Sequence, residues 1–427
     1  MSENITYGLS TLAIHADAGY GPDPLEVSPA ISVSTIWRYP ENPDEWKSAK
    51  ERAALLKEHA DKNKTEEVSL APDAVDPNFG IPFIYSRDTQ PVALRVERTL
   101  SKMVGAHVVS YRSGLAAAAA LITHLNPKRI SIGDGYHGTH GVISVLKRLS
   151  NVQVLPLDCA EGDLHEGDLI WLETPVNPLG TSFDIEAFAK KAHGRGAWLV
   201  VDSTFAPPPL QDPFQQGADY VHHSATKYFG GHSDLLAGLI LTKSKEAKKR
   251  LISDRLVMGN LPGSLEAWLL LRSLRTYALR IERQSRTAEA LANLLDRFRR
   301  DEEFCKEKGV EPGLVIAVTH SSLQGDDFVK KQMPGGYGPV LSLSLVTASV
   351  TKRFPGYLKL FFHSTSLGGT ESLVEWRAMS DPSVDDRLIR MSVGCEDTSD
   401  LERDITLALV SCGRFWRSGT PAASKEE

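Results

Sequence analysis

Lys227 lies in the run HHSATKYFGGHSD, His222 to Asp234, among hydroxyls, imidazoles and glycines and just after the apolar-edged stretch GADYVH. Alone it reads as a surface lysine on a polar turn, as most lysines are. Two other stretches bear on that reading. In GAWLVVDSTFAPP an apolar run ends on Asp202, and in open α/β sheets ligands gather beyond the carboxyl ends of strands. In YRSGLAAAAALITHL, Ser113 and Gly114 open a helix whose unpaired N–H groups and dipole suit a phosphate. A lysine amine condenses with an aldehyde, and a carboxylate beside a pyridine nitrogen keeps that ring protonated and electron-withdrawing. Lys227, Asp202, the Ser113–Gly114 helix start and the hydroxyls of Ser224 and Thr226 thus outline a site for pyridoxal 5'-phosphate (PLP), with Tyr136 as the aromatic face against its ring. Singly, each piece has an ordinary explanation as an N-cap or a turn residue.

Two competing chemistries use residues of the same region. ISIGDGYHG places Gly133, Gly135 and Gly138 in dinucleotide-fingerprint spacing after a strand-like run, with Asp158 about twenty residues on, where a ribose-binding carboxylate belongs. That reading is a nicotinamide-dependent oxidoreductase. Against it, Tyr136 and His137 crowd the glycine turn and no second feature supports hydride transfer. His222, His223 and His232 cluster near Asp234, but neighbours on a strand point to opposite faces, so His222 and His223 cannot easily share one ion. No metal is expected.

The elements that must position these residues alternate. From Tyr85 to about Leu241, β-rich runs (RISI, VQVLPL, DLIWL, AWLVV, DYVHH, GLILT) are separated by helical patterns such as SGLAAAAALITHL and DIEAFAKKAHGRG, the order of an α/β parallel sheet flanked by helices. Leu265 to about Arg300 keeps apolar residues at three- and four-residue spacing and predicts one long amphipathic helix bridging two domains. Beyond it, GPVLSLSLV and DRLIRMSVG suit a smaller α+β domain, and the alternation of Leu388, Arg390 and Ser392 reads as an amphipathic edge strand. The division expected is an N-terminal arm, 1–84, with a charged helical insertion near 45–67, a coenzyme-binding domain, 85–275, and a C-terminal domain, 276–427, that includes the bridging helix. The 427 residues carry a net charge of −6, which supplies no basic field for nucleic acid. No stretch approaches the apolar length of a membrane span. Four scattered cysteines and no targeting pattern at either end predict a reducing, cytoplasmic setting.

The ordered motifs STLAIHA, VSPAISVSTIWRYP, YSRDTQP, SGLAAA, GYHGTHG, ETPVNP, VVDSTF, HHSATKYFGGHSDLLAG, STSLGGTESL and LIRMSVGCED run through nearly the whole chain. In them the sequence resembles the PLP enzymes of Cys/Met metabolism, the trans-sulfuration family of cystathionine synthases and lyases. The resemblance implies an aspartate-aminotransferase-like fold, PLP-dependent transferase fold type I, with a large α/β domain and a smaller C-terminal α+β domain. It implies a Schiff base on Lys227, Asp202 at the pyridine nitrogen, Tyr136 stacked on the ring and able to donate a proton, and Asn177 at the ring oxygen. Phosphate contacts would come from the Ser113–Gly114–Leu115 turn, Ser224 and Thr226, and across a dimer interface from Tyr85 and Arg87 of a neighbouring subunit, two such dimers making a tetramer. Arg390 would clamp the α-carboxylate of an amino-acid substrate, and Ser366 would sit beside Lys227. The implied reaction makes or breaks C–S bonds at the γ or β carbon, as a cystathionine γ-synthase or γ-lyase does. The alternative is a β-lyase, or a γ-replacement enzyme joining an O-acyl-homoserine to a nucleophile other than cysteine. Departures from the family pattern bear on that choice: Gln90 and Val92 follow YSRDT, Leu115 replaces a methionine, Thr365 stands where many γ-enzymes carry glutamate, and EWRAMSDPSVDDR departs from the family's Pro- and Thr-His-containing stretch.

Overall fold

The computed structural model describes residues 7–18, 26–39, 41–48, 50, 51, 54 and 83–419. Most of the charged insertion predicted near 45–67 lies outside the described residues. Seven strands form the main sheet: β1 (His107–Tyr111), β2 (Arg129–Ile132), β3 (Gln153–Pro156), β4 (Leu169–Glu173), β5 (Trp198–Asp202), β6 (Tyr220–Ser224) and β7 (Gly238–Thr242). Their order is β1-β7-β6-β5-β4-β2-β3. The sequences LIWLE and WLVVD are apolar almost throughout and buried because helices cover both faces of the central strands. The expectation of a parallel sheet needs one amendment. β7 runs antiparallel to both β1 and β6, which the residues between β6 and β7 permit by turning back without a crossover helix.

The second sheet contains β8 (Val315–Thr319), β9 (Val340–Leu345), β10 (Phe362–His363), β11 (Leu373–Trp376) and β12 (Leu388–Ser392), in the order β10-β11-β12-β9-β8. This corrects the edge-strand reading of DRLIRMSVG: β12 is central, hydrogen-bonded to β9 and β11, with Arg390 buried. The single helix expected from Leu265 to Arg300 is broken at Arg275 and Thr276 into Ser264–Leu274 and Tyr277–Arg300. The second piece contributes Tyr277 and Ile281 to the core around the large sheet, and Leu291, Leu295 and Phe298 to the core around the small one. Among the described residues no helix is long and apolar enough to cross a membrane.

Candidate active site

β4, β5 and β6 are parallel neighbours, and their carboxyl ends bring Glu173, Asp202 and Ser224 to one edge, with Glu173 opposite Asp202 and Asp202 opposite His222. Asp202 is enclosed by partners. Its Oδ1 accepts from the Thr204 N–H (3.0 Å) and hydroxyl (2.6 Å), and its Oδ2 lies 2.9 Å from His222 Nδ1. The Thr204 hydroxyl also accepts the Ser224 N–H at 2.9 Å, tying the two strand ends together. Burial alone would raise the Asp202 carboxyl, but the His222 charge and hydrogen bonds outweigh it and hold the group below its ordinary range. Burial instead dominates at Glu173, with the Asp202 charge adding to it, and pushes that carboxyl up to about 8.

A continuous set of hydrogen bonds joins the remaining candidates. Lys227, three residues past the end of β6, donates from Nζ to Ser366 Oγ (2.8 Å). The Ser366 carbonyl accepts from Arg390 Nη2 (2.9 Å), and Arg390 Nη1 donates to Asn177 Oδ1 (3.1 Å). The Asn177 N–H donates to one Glu173 oxygen (2.7 Å) and the Tyr136 N–H to the other (2.8 Å). Amine, guanidinium, amide and phenol are thereby held in one cluster by five bonds. Burial, then the Arg390 charge, brings the Lys227 amine down to about 8 against the opposing pull of Glu375. Ser366 has φ 77°, in the left-handed region that suits glycine. Two residues on, Gly368 has φ 88°, and a side chain there would stand 2.8 Å from the Lys227 backbone.

Other predicted residues surround this cluster. Ser113 caps the helix Gly114–Leu125 by accepting the Ala116 N–H (3.1 Å), and a Cβ on Gly114 would meet Ser224 at 2.9 Å. Leu115 and Tyr136 are both partly exposed, and both approach Gly138 so closely that a Cβ there would contact each. Thr226 and Thr365 line an open cleft of about 800 Å³, with Arg112, Ser233, Asp234 and Ser366 also on its wall. The Thr226 hydroxyl exchanges hydrogen bonds with the Ala237 backbone. Tyr85 and Arg87 make their contacts elsewhere: Arg87 donates to the Leu256 carbonyl (2.9 Å) and lies over the Tyr85 ring. At the fingerprint glycines, Leu157, Glu173 and the Tyr136 ring fill the space a pyrophosphate needs, and the crevice there is only about 10 Å³, room for one water. A dinucleotide does not fit at that turn. Among the described residues no group of three or more His, Cys, Asp or Glu is gathered as if around a metal.

Three further residues in the site are given no part in it from sequence, where His222 is weighed only as a metal ligand. His222 bridges Asp202 and, through Nε2, the Gly114 carbonyl (2.9 Å); Glu173 braces Tyr136 and Asn177. Glu375 of β11 faces Arg390 across the sheet and takes its Nη2 at 2.6 Å, together with Arg377 Nη1 (2.9 Å) and Ser380 Oγ (2.7 Å). Cross-strand register creates the Asp202–His222 and Glu375–Arg390 contacts, and register is invisible to motif spacing. Burial opposes the Glu375 charge, but Arg390, Ser380 and Arg377 overcome it and keep the carboxyl below its ordinary range. Removing one member of a buried ion pair costs about 3–5 kcal/mol, so Glu375→Gln is expected to lower stability by about that amount near neutrality. Because the folded-state value is depressed, this contribution is fully present above the unfolded carboxyl value of about 4.3. It is lost as the pH falls through the folded value. Denaturant melts from pH 7 into acid should therefore show wild type and variant converging.

A strand-end carboxylate, a lysine with a depressed proton affinity and a capped helix start together fit PLP, and the open cleft adjoins them at Thr226 and Ser366. Fold and site define a PLP-dependent enzyme of the aspartate-aminotransferase-like type. The chain belongs to the Cys/Met metabolism PLP-dependent enzyme family, whose sequence model matches residues 66–410. It is 34% identical over 369 residues to a cystathionine gamma-lyase of Dictyostelium discoideum, covering 81% of this chain and 92% of that protein. It is 35% identical over 349 residues to a cystathionine beta-lyase of Lactococcus lactis subsp. cremoris, covering 76% and 88%. The crystal structure of metB from Corynebacterium glutamicum superposes with a TM-score of 0.78 at 31% identity, covering 95% of this chain and 98% of that one. The protein is thus a PLP-dependent enzyme of sulfur amino-acid metabolism.

Proposed function

We propose that this enzyme makes or breaks a C–S bond at the γ carbon of an amino acid, in the manner of a cystathionine γ-lyase or γ-synthase. The observation that carries this reading is Ser366, whose hydroxyl holds the Lys227 amine while its carbonyl holds the Arg390 guanidinium. A substrate gripped by its α-carboxylate at Arg390 presents Cα and its proton to Lys227. Three of the five guanidinium N–H donors are already engaged, two on Nη2 and one on Nη1, leaving the Nε–H and one Nη1–H available for that carboxylate. Bound PLP supplies an aldehyde for the amino group and a cationic ring that accepts the electron pair released at Cα. Lys227 would hold the coenzyme, give way to substrate and then take the Cα proton; its proton affinity near neutrality suits both holding and releasing that proton. Asp202 would face the ring nitrogen, Asn177 the ring oxygen and Tyr136 the ring face, the Tyr136 hydroxyl protonating the departing sulfur. The Gly114–Leu115 helix start, Ser224 and Thr226 would receive the phosphate.

Tyr85 and Arg87 would complete the phosphate site of a neighbouring subunit in a dimer, two dimers forming the assembly. The exposure of Val27 (98%), Val33 (83%), Ile36 and Trp46 on the N-terminal segment supports burial against another copy. Four cysteines without a disulfide support a cytoplasmic setting.

Thr365 favours a second reading, in which cystathionine is not the physiological partner. It lines the substrate cleft with a neutral hydroxyl, where the family's glutamate would receive a distal ammonium group. An O-acyl-homoserine combined with another nucleophile, or β-elimination, then becomes the competing activity. One panel separates these outcomes: cystathionine, O-acetyl- and O-succinyl-homoserine, cysteine and methionine, with keto acid, ammonia and thioether products measured. Turnover at the γ carbon supports the proposal, and keto acid formed only from β-substituted substrates overturns it.

A further inference from the structure

His222 is buried between two hydrogen-bond acceptors. Its Nδ1 faces Asp202 Oδ2 at 2.9 Å and its Nε2 faces the Gly114 carbonyl oxygen at 2.9 Å. A carbonyl oxygen can only accept, so Nε2 must carry a hydrogen. A neutral ring with its one hydrogen on Nε2 would point the Nδ1 lone pair at a carboxylate oxygen. With Asp202 held ionised by its partners, the arrangement is satisfied when the ring carries both hydrogens and the pair is an imidazolium against a carboxylate.

The other groups around the ring agree with that charge state. Glu173, opposite Asp202 on the neighbouring strand, favours the imidazolium only weakly, since its own carboxyl is pushed up to about 8. The Trp171 ring lies 5.3 Å away, centroid to centroid. His223 shares the strand but is buried elsewhere, T-shaped against Phe229, and burial brings it down to about 3, so it adds no competing cation. At His222 burial disfavours the charge, yet the Asp202 charge and hydrogen bond more than offset it and raise the imidazole above its ordinary value.

We propose that His222 is a positioning residue that fixes the Asp202 carboxylate and, as a buried imidazolium, tempers the proton affinity of the coenzyme's ring nitrogen. The inference rests on the reading of Asp202 as the partner of that nitrogen. Asp202 alone would bind a pyridinium proton tightly, because a buried anion has no better counter-ion. With a second cation on its far oxygen, part of that attraction is already spent, and the ring becomes a weaker electron sink. The imidazole also anchors the acid to the first residue of the helix assigned to the phosphate, so one side chain links the two ends of the coenzyme site.

The test is ring-nitrogen titration in the loaded enzyme, using PLP labelled with 15N at that position and following its NMR shift with pH in wild type, His222→Gln and Asp202→Asn. His222→Gln removes the cation and is expected to raise the pH at which the ring nitrogen loses its proton by about one unit, a roughly tenfold gain in proton affinity. Asp202→Asn is expected to do the opposite and leave the nitrogen unprotonated at neutral pH. An imidazole serving only as a structural prop predicts a downward shift, or none, for His222→Gln, and either result overturns the inference. No effect of Asp202→Asn would instead overturn the reading of Asp202 beneath it. A measurement on unmutated protein covers a variant that fails to fold. With 15N-labelled histidine, both His222 nitrogens should appear protonated at pH 7, and an unprotonated Nδ1 would sink the proposal.

Discussion

Replacing Lys227 with alanine is expected to lower kcat by about 10⁴-fold or more and to remove the visible absorption band of the PLP-loaded protein, with thermal melting little changed. Two physical effects are lost together. On the proposed reading the amine condenses with the coenzyme, and burial brings it down to about 8, so a substantial share of it is neutral at pH 8. An ordinary lysine would be about 0.4% neutral there. The second effect is positional, because Ser366 Oγ holds Nζ at 2.8 Å and Gly368 lets the same loop press on the Lys227 backbone. Added methylamine should restore some turnover to the alanine variant by replacing the base, without the band that reports the covalent link. Spectra and steady-state rates on one preparation check both halves. A yellow, active Lys227→Ala protein would refute the assignment.

Arg390→Lys is expected to reduce kcat/KM by about 10²- to 10³-fold, with most of the change in KM. The guanidinium makes three bonds to Asn177, Ser366 and Glu375 while keeping two donors for a substrate carboxylate. An ammonium has three donors in all and no planar fork, so it cannot serve both sets. Losing one or two charge-assisted hydrogen bonds at about 1.5–3 kcal/mol each costs about 1.5–6 kcal/mol, roughly 10- to 10⁴-fold, and the stated range is the middle of that span. Glu375 would retain Arg377 at 2.9 Å, so the lysine variant should fold. Steady-state kinetics with the best substrate of the panel decide the matter: an unchanged KM would mean that the carboxylate binds elsewhere.

Local signals made the large sheet legible. RISI, DLIWL, AWLVV, DYVHH and GLILT all form strands where their apolar runs stand, and the run ending on Asp202 and the run before Lys227 become neighbours because β5 and β6 pair in parallel. What escaped the sequence was pairing between segments distant along the chain. Arg390 looked like one residue of an alternating edge strand, yet β9 and β11 flank it and bury it. Glu375 and His222 acquire their partners only through the registers Glu375↔Arg390 and Asp202↔His222. The break at Arg275 and Thr276 was hidden for a different reason: apolar spacing continues across it, and the turn carries neither glycine nor proline.

Ser366 has a backbone twist that glycine would adopt at no cost, and it adopts that twist bearing a side chain. The hydroxyl is therefore held in place at the expense of folding free energy, on a loop that touches both the amine and the guanidinium. Durability and turnover pull in opposite directions at this single position: a chain selected only for heat resistance would drift to glycine there, and its nucleophile would lose its tether.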